Sequence, residues 1–263
     1  MIDLALFRDS LASEWTKLRS VRSTYWSILI AIVLGVGLSA AIAGATEHAY
    51  PQMSASDRAT FDPTSTSTAG LFFAQLALGV LAVLAVSSEY STGTIRTTVA
   101  ATPQRGYVVA AKAFVLAVLS FVVATAIGFI AFFIGQAIFT GHNLNVTLSQ
   151  PGVLRAVLGV GLYMAGLALL AIGLALIVRH TAGAITVLVG IVFLLPVVLG
   201  ALPRSWHHNL VRFLPANAGG SITQVIYDHY TNLAPWAGFG VFLLWVALFI
   251  GVGWYLLRTR DVK

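Results

Sequence analysis

The chain has no cysteine among its 263 residues. That excludes disulfides, thiolate metal ligands and cysteine nucleophiles together, and leaves the redox compartment open. Charge is almost as scarce: Asp, Glu, Lys and Arg make up 9% of the residues, against roughly a quarter in soluble domains. The cores of the long apolar runs hold no Asp, Glu, Lys, Arg or His, and their strongest polar side chains are Gln75 and Gln136. Ionisable groups at membrane depth are costly and are kept for a task, so their absence removes support for proton coupling and for carboxylate catalysis. A phosphate-binding loop is missing too. Lys17, Lys112 and Lys263 follow Thr16, Ala111 and Val262, so none completes G-x-x-x-x-G-K-[ST], and ATP hydrolysis by this chain through that route is not expected. His207 and His208 are adjacent, with His229 further on; without an i, i+4 pair or a carboxylate cluster they read as loop polarity, and no metal site is expected.

What is there is apolar. Hydrophobic residues account for 58% of the chain and the mean hydropathy is +0.89, values that belong to an integral membrane protein. The net charge of +6 reflects loop lysines and arginines rather than nucleic acid. The first apolar run starts only near Tyr25, and no small-residue cleavage site follows, so no removable signal peptide is expected. Six runs are long enough to cross a bilayer as helices, which takes about 20 residues each: 25–45, 69–87, 112–139, 153–178, 183–202 and 235–257. Continuous runs of this kind exclude the alternation of a barrel. The fold class is all-α and polytopic, one domain of six spans over 25–263 preceded by a segment at 1–24. The third run would be about 42 Å long as a helix, so it must tilt, kink or project into water. Gly35 with Gly37, Gly159 with Gly161 and Ala165, and Gly251 with Gly253 favour close helix packing.

Eleven of the fifteen basic residues fall on one side of this plan, among them Arg8, Lys17, Arg19, Arg22, Arg96, Lys112 and Arg179. Both termini and the stretch 88–111 are therefore expected on the cytoplasmic side of the plasma membrane, with 46–68 and 203–234 outside. Before the first run, Leu4, Phe7, Leu11, Trp15 and Leu18 share one helical face and Lys17 lies opposite, the pattern of an amphipathic helix in the membrane interface with Trp15 at headgroup depth. Gln75 reads as an interhelical hydrogen-bonding group or as a polar contact on a substrate path.

The stretch SEYSTGTIRTTV, from Ser88 to Val99, is a polar interruption between the second and third runs. Glu89, at the edge of a span, is costly unless paired. Arg96 is a fork-like donor suited to a partner's carboxylate or to Glu89. Gly93 permits a tight turn. A cap at Ser91 or Thr92 and a stop at Pro103 allow a short helix, although the β-branched residues Thr94 and Ile95 disfavour one.

Ser88 to Arg105 resembles the loop of bacterial ABC-2 type transporter permeases, in which an acid and an aromatic precede G-T-x-R, a proline and a basic residue. SEWTKLRSVRSTYW, from Ser13 to Trp26, is similar to that family's approach to its first span, and LPANAGGSI, from Leu214 to Ile222, resembles the segment before the last span in its actinobacterial members. The resemblance implies the membrane subunit of an exporter, working as a dimer with a second permease copy, homo- or heterodimeric. ATP and Mg would sit on separate ATP-binding cassette subunits, and no cofactor on this chain. It implies that Glu89, Tyr90, Gly93, Thr94, Ile95, Arg96 and Pro103 form a coupling helix between spans two and three. It further implies that Glu14, Trp15, Lys17 and Arg19 belong to the interfacial helix, that Arg179 and His180 make a minor cytoplasmic contact, and that short re-entrant helices lie between spans five and six. The rival readings are an ATP-independent transporter or channel, and a non-transporting membrane sensor or scaffold.

Overall fold

The computed structural model describes residues 4–91, 105–201, 210–227 and 232–259. Among them there is no strand, and six helices are long and apolar enough to cross a membrane: Arg22–Gln52, Leu71–Tyr90, Gly106–His142, Val153–Val178, Thr181–Gly200 and Pro235–Thr259. A separate helix, Leu4–Ser20, precedes the first span. The end of the bundle that carries this helix is taken as inner, following the basic-residue count, and the opposite end as outer.

The fourth span is the centre of the bundle. Its sequence is apolar on every side, the composition of a helix that meets neighbours all round, and Val157, Leu170, Ala171 and Ala175 are completely buried. Small residues let those neighbours close in. The last span crosses the fourth where Gly173 and Gly253 meet: a Cβ on Gly253 would stand 2.9 Å from the Gly173 carbonyl oxygen. Gly159 and Gly161 also lie at helix contacts, whereas Gly37 and Gly251 have nothing within 4 Å and pack against no described residue. Large side chains on the outside of the bundle, such as Val33, Phe133, Leu194 and Leu244, form the apolar belt that lipid requires.

Two spans are not uniformly α-helical. The first turns into a π segment over Val33–Leu38, where the chain just before the second span presses on it. The Gly70 N–H donates to Ser39 Oγ at 2.9 Å, and a Cβ on Gly70 would fall 2.7 Å from the Gly35 carbonyl oxygen, so only glycine allows this approach. The fifth span has a π segment over Gly190–Leu194, immediately before Pro196. Proline cannot donate the bond that an α-helix would send to the Val192 carbonyl, and the wider turn absorbs that loss.

The third span departs from the expected boundary. Its helix runs from Arg105 to Phe139, 35 residues or about 52 Å, and begins seven residues earlier than the apolar run. Lys112 is thus two turns inside a helix rather than at its start. The second span's helix likewise runs on through Ser91, so Glu89 and Tyr90 are helical. Between the fifth and sixth spans, the short helix Pro215–Gly220 and the turns Val211–Phe213 and Ser221–Thr223 tuck into the outer end, with Ala218, Ser221 and Ile222 fully buried. These are the short helices expected there.

Candidate functional site

Four charged side chains from three elements meet at the inner end. Glu14 and Lys17 are one turn apart on Leu4–Ser20, Glu89 closes the second span, and Lys112 lies two turns into the third helix. Lys17 Nζ is 2.6 Å from Glu14 Oε1 and 2.9 Å from Glu89 Oε1, and Lys112 Nζ is 3.0 Å from Glu89 Oε1 and also bonds Glu14 Oε2. The four form a closed, alternating and net-neutral ring. The side chains of Glu14, Lys112 and Glu89 are only 4%, 9% and 12% exposed, that of Lys17 41%. Charges so far from water persist only when paired and hydrogen-bonded, and here each has two opposite neighbours. Burial pulls the Lys17 ammonium down, but its bonds to Glu14 and Glu89 more than offset this and hold it above the usual lysine range.

The ring corrects the expected orientation of the N-terminal helix. The side facing the third span carries Phe7, whose ring lies 6.5 Å from that of Tyr107, together with Leu11, Glu14 and Leu18. Glu14 and Leu18 are buried, while Trp15 is 45% exposed. The docking face is therefore rotated from the apolar stripe so that Glu14 takes the place of Trp15, and Lys17 is half-buried rather than opposite. An acid can replace an aromatic there only because Lys112 waits beneath it. Trp15 is left on the side that lipid can reach, and Arg19 is exposed, with the Tyr25 hydroxyl donating to its carbonyl at 2.9 Å.

Sequence reasoning placed Glu89 in an ion pair, with Arg96 suited to it or to a partner's carboxylate; among the described residues its partners are Lys17 and Lys112. Gly93, Thr94, Ile95, Arg96 and Pro103 lie outside the described residues. One signal for Lys112 was available: a lone lysine inside VVAAKAFVLAVL is a charge in an apolar helix, which asks for a partner.

Tyr90 turns the other way. The Arg179 guanidinium stands 5.6 Å from its ring centre, and Arg179 Nη2 donates to the Leu256 carbonyl at 2.9 Å. Arg179 ends the fourth span in the left-handed region, at φ 57°, and His180 Nδ1 caps the fifth span by accepting from the Gly183 N–H at 3.3 Å. Thr181 Oγ1 donates to Ser87 Oγ at 2.9 Å. The turn at Arg179 and His180 is thus bound to the inner ends of the second and sixth spans, beside the charged ring.

Gln75 is buried and bonded at both ends: its Nε2 donates to the Phe72 carbonyl at 2.8 Å and its Oε1 accepts from the Tyr163 hydroxyl at 2.7 Å. The Tyr163 bond joins the second and fourth spans. The same Gln75 also lines a cavity of about 380 Å³ in the outer half of the bundle, walled by Phe72, Met164, Val192 and Phe193 and roofed by the outer segments at Ser65 and Thr223. Among the described residues no charged side chain lines it, so it suits an apolar or neutral amphipathic occupant.

A family model described as ABC-2 family transporter protein matches residues 10–200. The match spans most of the N-terminal helix, the first five spans, all four members of the charged ring and most of the cavity wall. No curated protein matches the chain. Proteins of this family are the membrane subunits of ABC transporters, paired with a separate ATP-binding subunit. Six spans, a charged ring between the N-terminal helix and the facing ends of the second and third helices, and a family match over most of the length lead to one conclusion: this multi-pass membrane chain belongs to the ABC-2 family of transporter proteins.

Proposed function

We propose that the chain is the permease of an ABC exporter that moves a hydrophobic or amphipathic molecule outward across the plasma membrane, with both termini in the cytoplasm. Two permease copies work with two ATP-binding cassette subunits, which hold ATP and Mg. The loop with Gly93, Thr94, Ile95, Arg96 and Pro103, entered through Glu89 and Tyr90, is the docking place for that subunit, and Arg179 and His180 support it from the adjoining turn.

The observation that carries this reading is the ring of Glu14, Lys17, Glu89 and Lys112. It clamps the second and third helices and the N-terminal helix together at the two roots of the loop. A push on a loop with free roots would dissipate in the loop. With the roots clamped, the push moves two spans and the interfacial helix together, and coupling needs such a rigid element with two arrangements. Nucleotide on the partner shifts the equilibrium only by its differential affinity for those arrangements. The cavity, lined among the described residues by apolar and uncharged polar side chains, supports the class of cargo.

Arg96→Ala leaves all four members of the ring in place and separates coupling from folding. In liposomes holding the permease and its ATP-binding subunit, Arg96→Ala is expected to leave the permease's melting temperature unchanged and to cut cargo-stimulated ATPase activity about tenfold, the equivalent of one charge-assisted hydrogen bond. Glu89→Ala is expected to lower both. If copurification and stimulated activity stay at wild-type levels when both residues are replaced, the docking assignment is wrong.

A further inference from the structure

At the outer end a single carboxylate joins two segments that are distant in sequence. Asp62, 9% exposed, begins the short helix Pro63–Ser67, and its Oδ1 accepts from the N–H groups of Thr64 at 2.9 Å and Ser65 at 3.2 Å. Its Oδ2 takes the Ser65 hydroxyl at 2.7 Å and then reaches across the bundle end to the N–H groups of Val225 and Ile226, both at 3.1 Å. Each segment has its own anchor. Gln136 of the third span donates to Ser67 Oγ at 2.8 Å, and Arg155 of the fourth donates to the carbonyls of Ile222 and Gln224, both at 2.8 Å. Between the two anchored segments, Asp62 supplies the side-chain bridge.

The bridge joins two segments that line the outer part of the cavity. Ser65 and Thr68 line it from one segment and Thr223 and Gln224 from the other. Helix capping uses only Oδ1 and the local hydroxyl, so it does not account for a second oxygen turned toward two backbone donors 163 and 164 positions away. We propose that Asp62 is the positioning residue of the cavity's outer closure: Oδ2 latches the two roof segments to each other, and outward opening of the cavity breaks those two bonds while the Gln136 and Arg155 anchors hold. The latch rests on the permease reading for its place in transport. Its existence does not, since opening of the roof can be observed without ATP or a partner.

Two substitutions separate latch from cap. Asp62→Asn keeps one carbonyl oxygen for the cap, as asparagine serves there as well as aspartate, but offers no second acceptor to Val225 and Ile226. Asp62→Ser caps with its hydroxyl and is too short to cross. The chain has no cysteine of its own, so a single Met164→Cys in the cavity wall reports entry from outside, and Leu170→Cys, in a fully buried core position, reports general loosening. Intact cells carrying the full chain are treated with a charged, membrane-impermeant maleimide. Both Asp62 variants are expected to label Met164→Cys about tenfold faster than the Asp62 parent, as for the loss of a bond to a charged acceptor, with Leu170→Cys unlabelled throughout. An unchanged rate at Met164→Cys overturns the latch. So does an equal rise at Leu170→Cys, or failure of both variants to fold, because either makes Asp62 a structural residue of the outer end. Unchanged labelling alongside normal Arg96-dependent ATPase activity removes the latch alone; faster labelling alongside ATPase activity that ignores Arg96 removes the coupling assignment alone.

Discussion

Lys112→Met is expected to be the most damaging single substitution at the inner end. It leaves Glu14 and Glu89, both nearly excluded from water, to share Lys17, which is itself half in solvent. An uncompensated buried carboxylate costs about 3–5 kcal/mol, a large share of the roughly 5–15 kcal/mol that holds a typical fold together. Methionine fills the lysine stem's volume, so the loss arises from charge and not from a cavity. The pairing is tested by a second change. Lys112→Met with Glu14→Gln restores neutrality, leaves Lys17 with Glu89, and is expected to recover more than half of the lost stability, which independent sites would not show. Lys17→Met, removing the half-exposed member, is expected to cost less than Lys112→Met because solvent already screens it. Melting of the detergent-purified protein with each substitution measures all three. A Lys112→Met protein that melts with the wild type would mean that the ring does not hold the three elements together.

Gly173→Val is expected to disrupt the crossing of the fourth and last spans. A Cβ at Gly173 would lie 2.6 Å from the Phe249 carbonyl carbon and 2.8 Å from the Ile250 nitrogen. Both are backbone atoms of a straight helix, so no rotamer change relieves the clash and the spans must separate. In a bilayer no hydrophobic force rewards their return, since lipid is as apolar as the helix surface; association depends on close packing. The loss is about 1–3 kcal/mol or more, expected as a lower melting temperature and a smaller monodisperse fraction on size exclusion. Gly251→Val is the control on the partner helix of the crossing, the last span: nothing lies within 4 Å of its Cβ, and wild-type behaviour is expected. If both substitutions are equally harmful, helix propensity and not the crossing is responsible.

Run length made the six spans legible, because lipid leaves a chain few other ways to satisfy its backbone. The edges were not so legible. The third run reads as starting at Lys112, behind the charge of Arg105 and the glycine beside it, yet the largely apolar RGYVVAA from Arg105 to Ala111 forms two turns of the third helix, stabilised by contact with the N-terminal helix through Tyr107 and Lys112. The same hidden contact explains the rotated face of Leu4–Ser20: the apolar stripe identified a helix with one buried side but could not show that an acid would be inside it. Glu14 and Lys112 are 98 positions apart, and each has an ordinary local explanation, one as a polar residue of an interfacial helix and the other as a positive-inside marker. Only the fold brings them together. Gln75 was legible as a hydrogen-bonding group, though its partner Tyr163 was not. Asp62 gave no signal in sequence, since a capping aspartate before a proline looks the same whether or not its second oxygen is used.

Docking of the ATP-binding subunit on the loop whose roots the ring clamps is tested most directly by cross-linking. Because the chain has no cysteine, single replacements can place a cross-linkable thiol at Thr94 or Ile95 in the loop, and at Asp57 on the opposite end of the bundle. The permease is purified in complex with its ATP-binding subunit and treated with a short bifunctional maleimide, and the adducts are read by mass. The expected result is a cross-link to the ATP-binding subunit from Thr94→Cys and Ile95→Cys and none from Asp57→Cys. An ATPase-active complex that cross-links from Asp57→Cys, or from neither loop position, would contradict it.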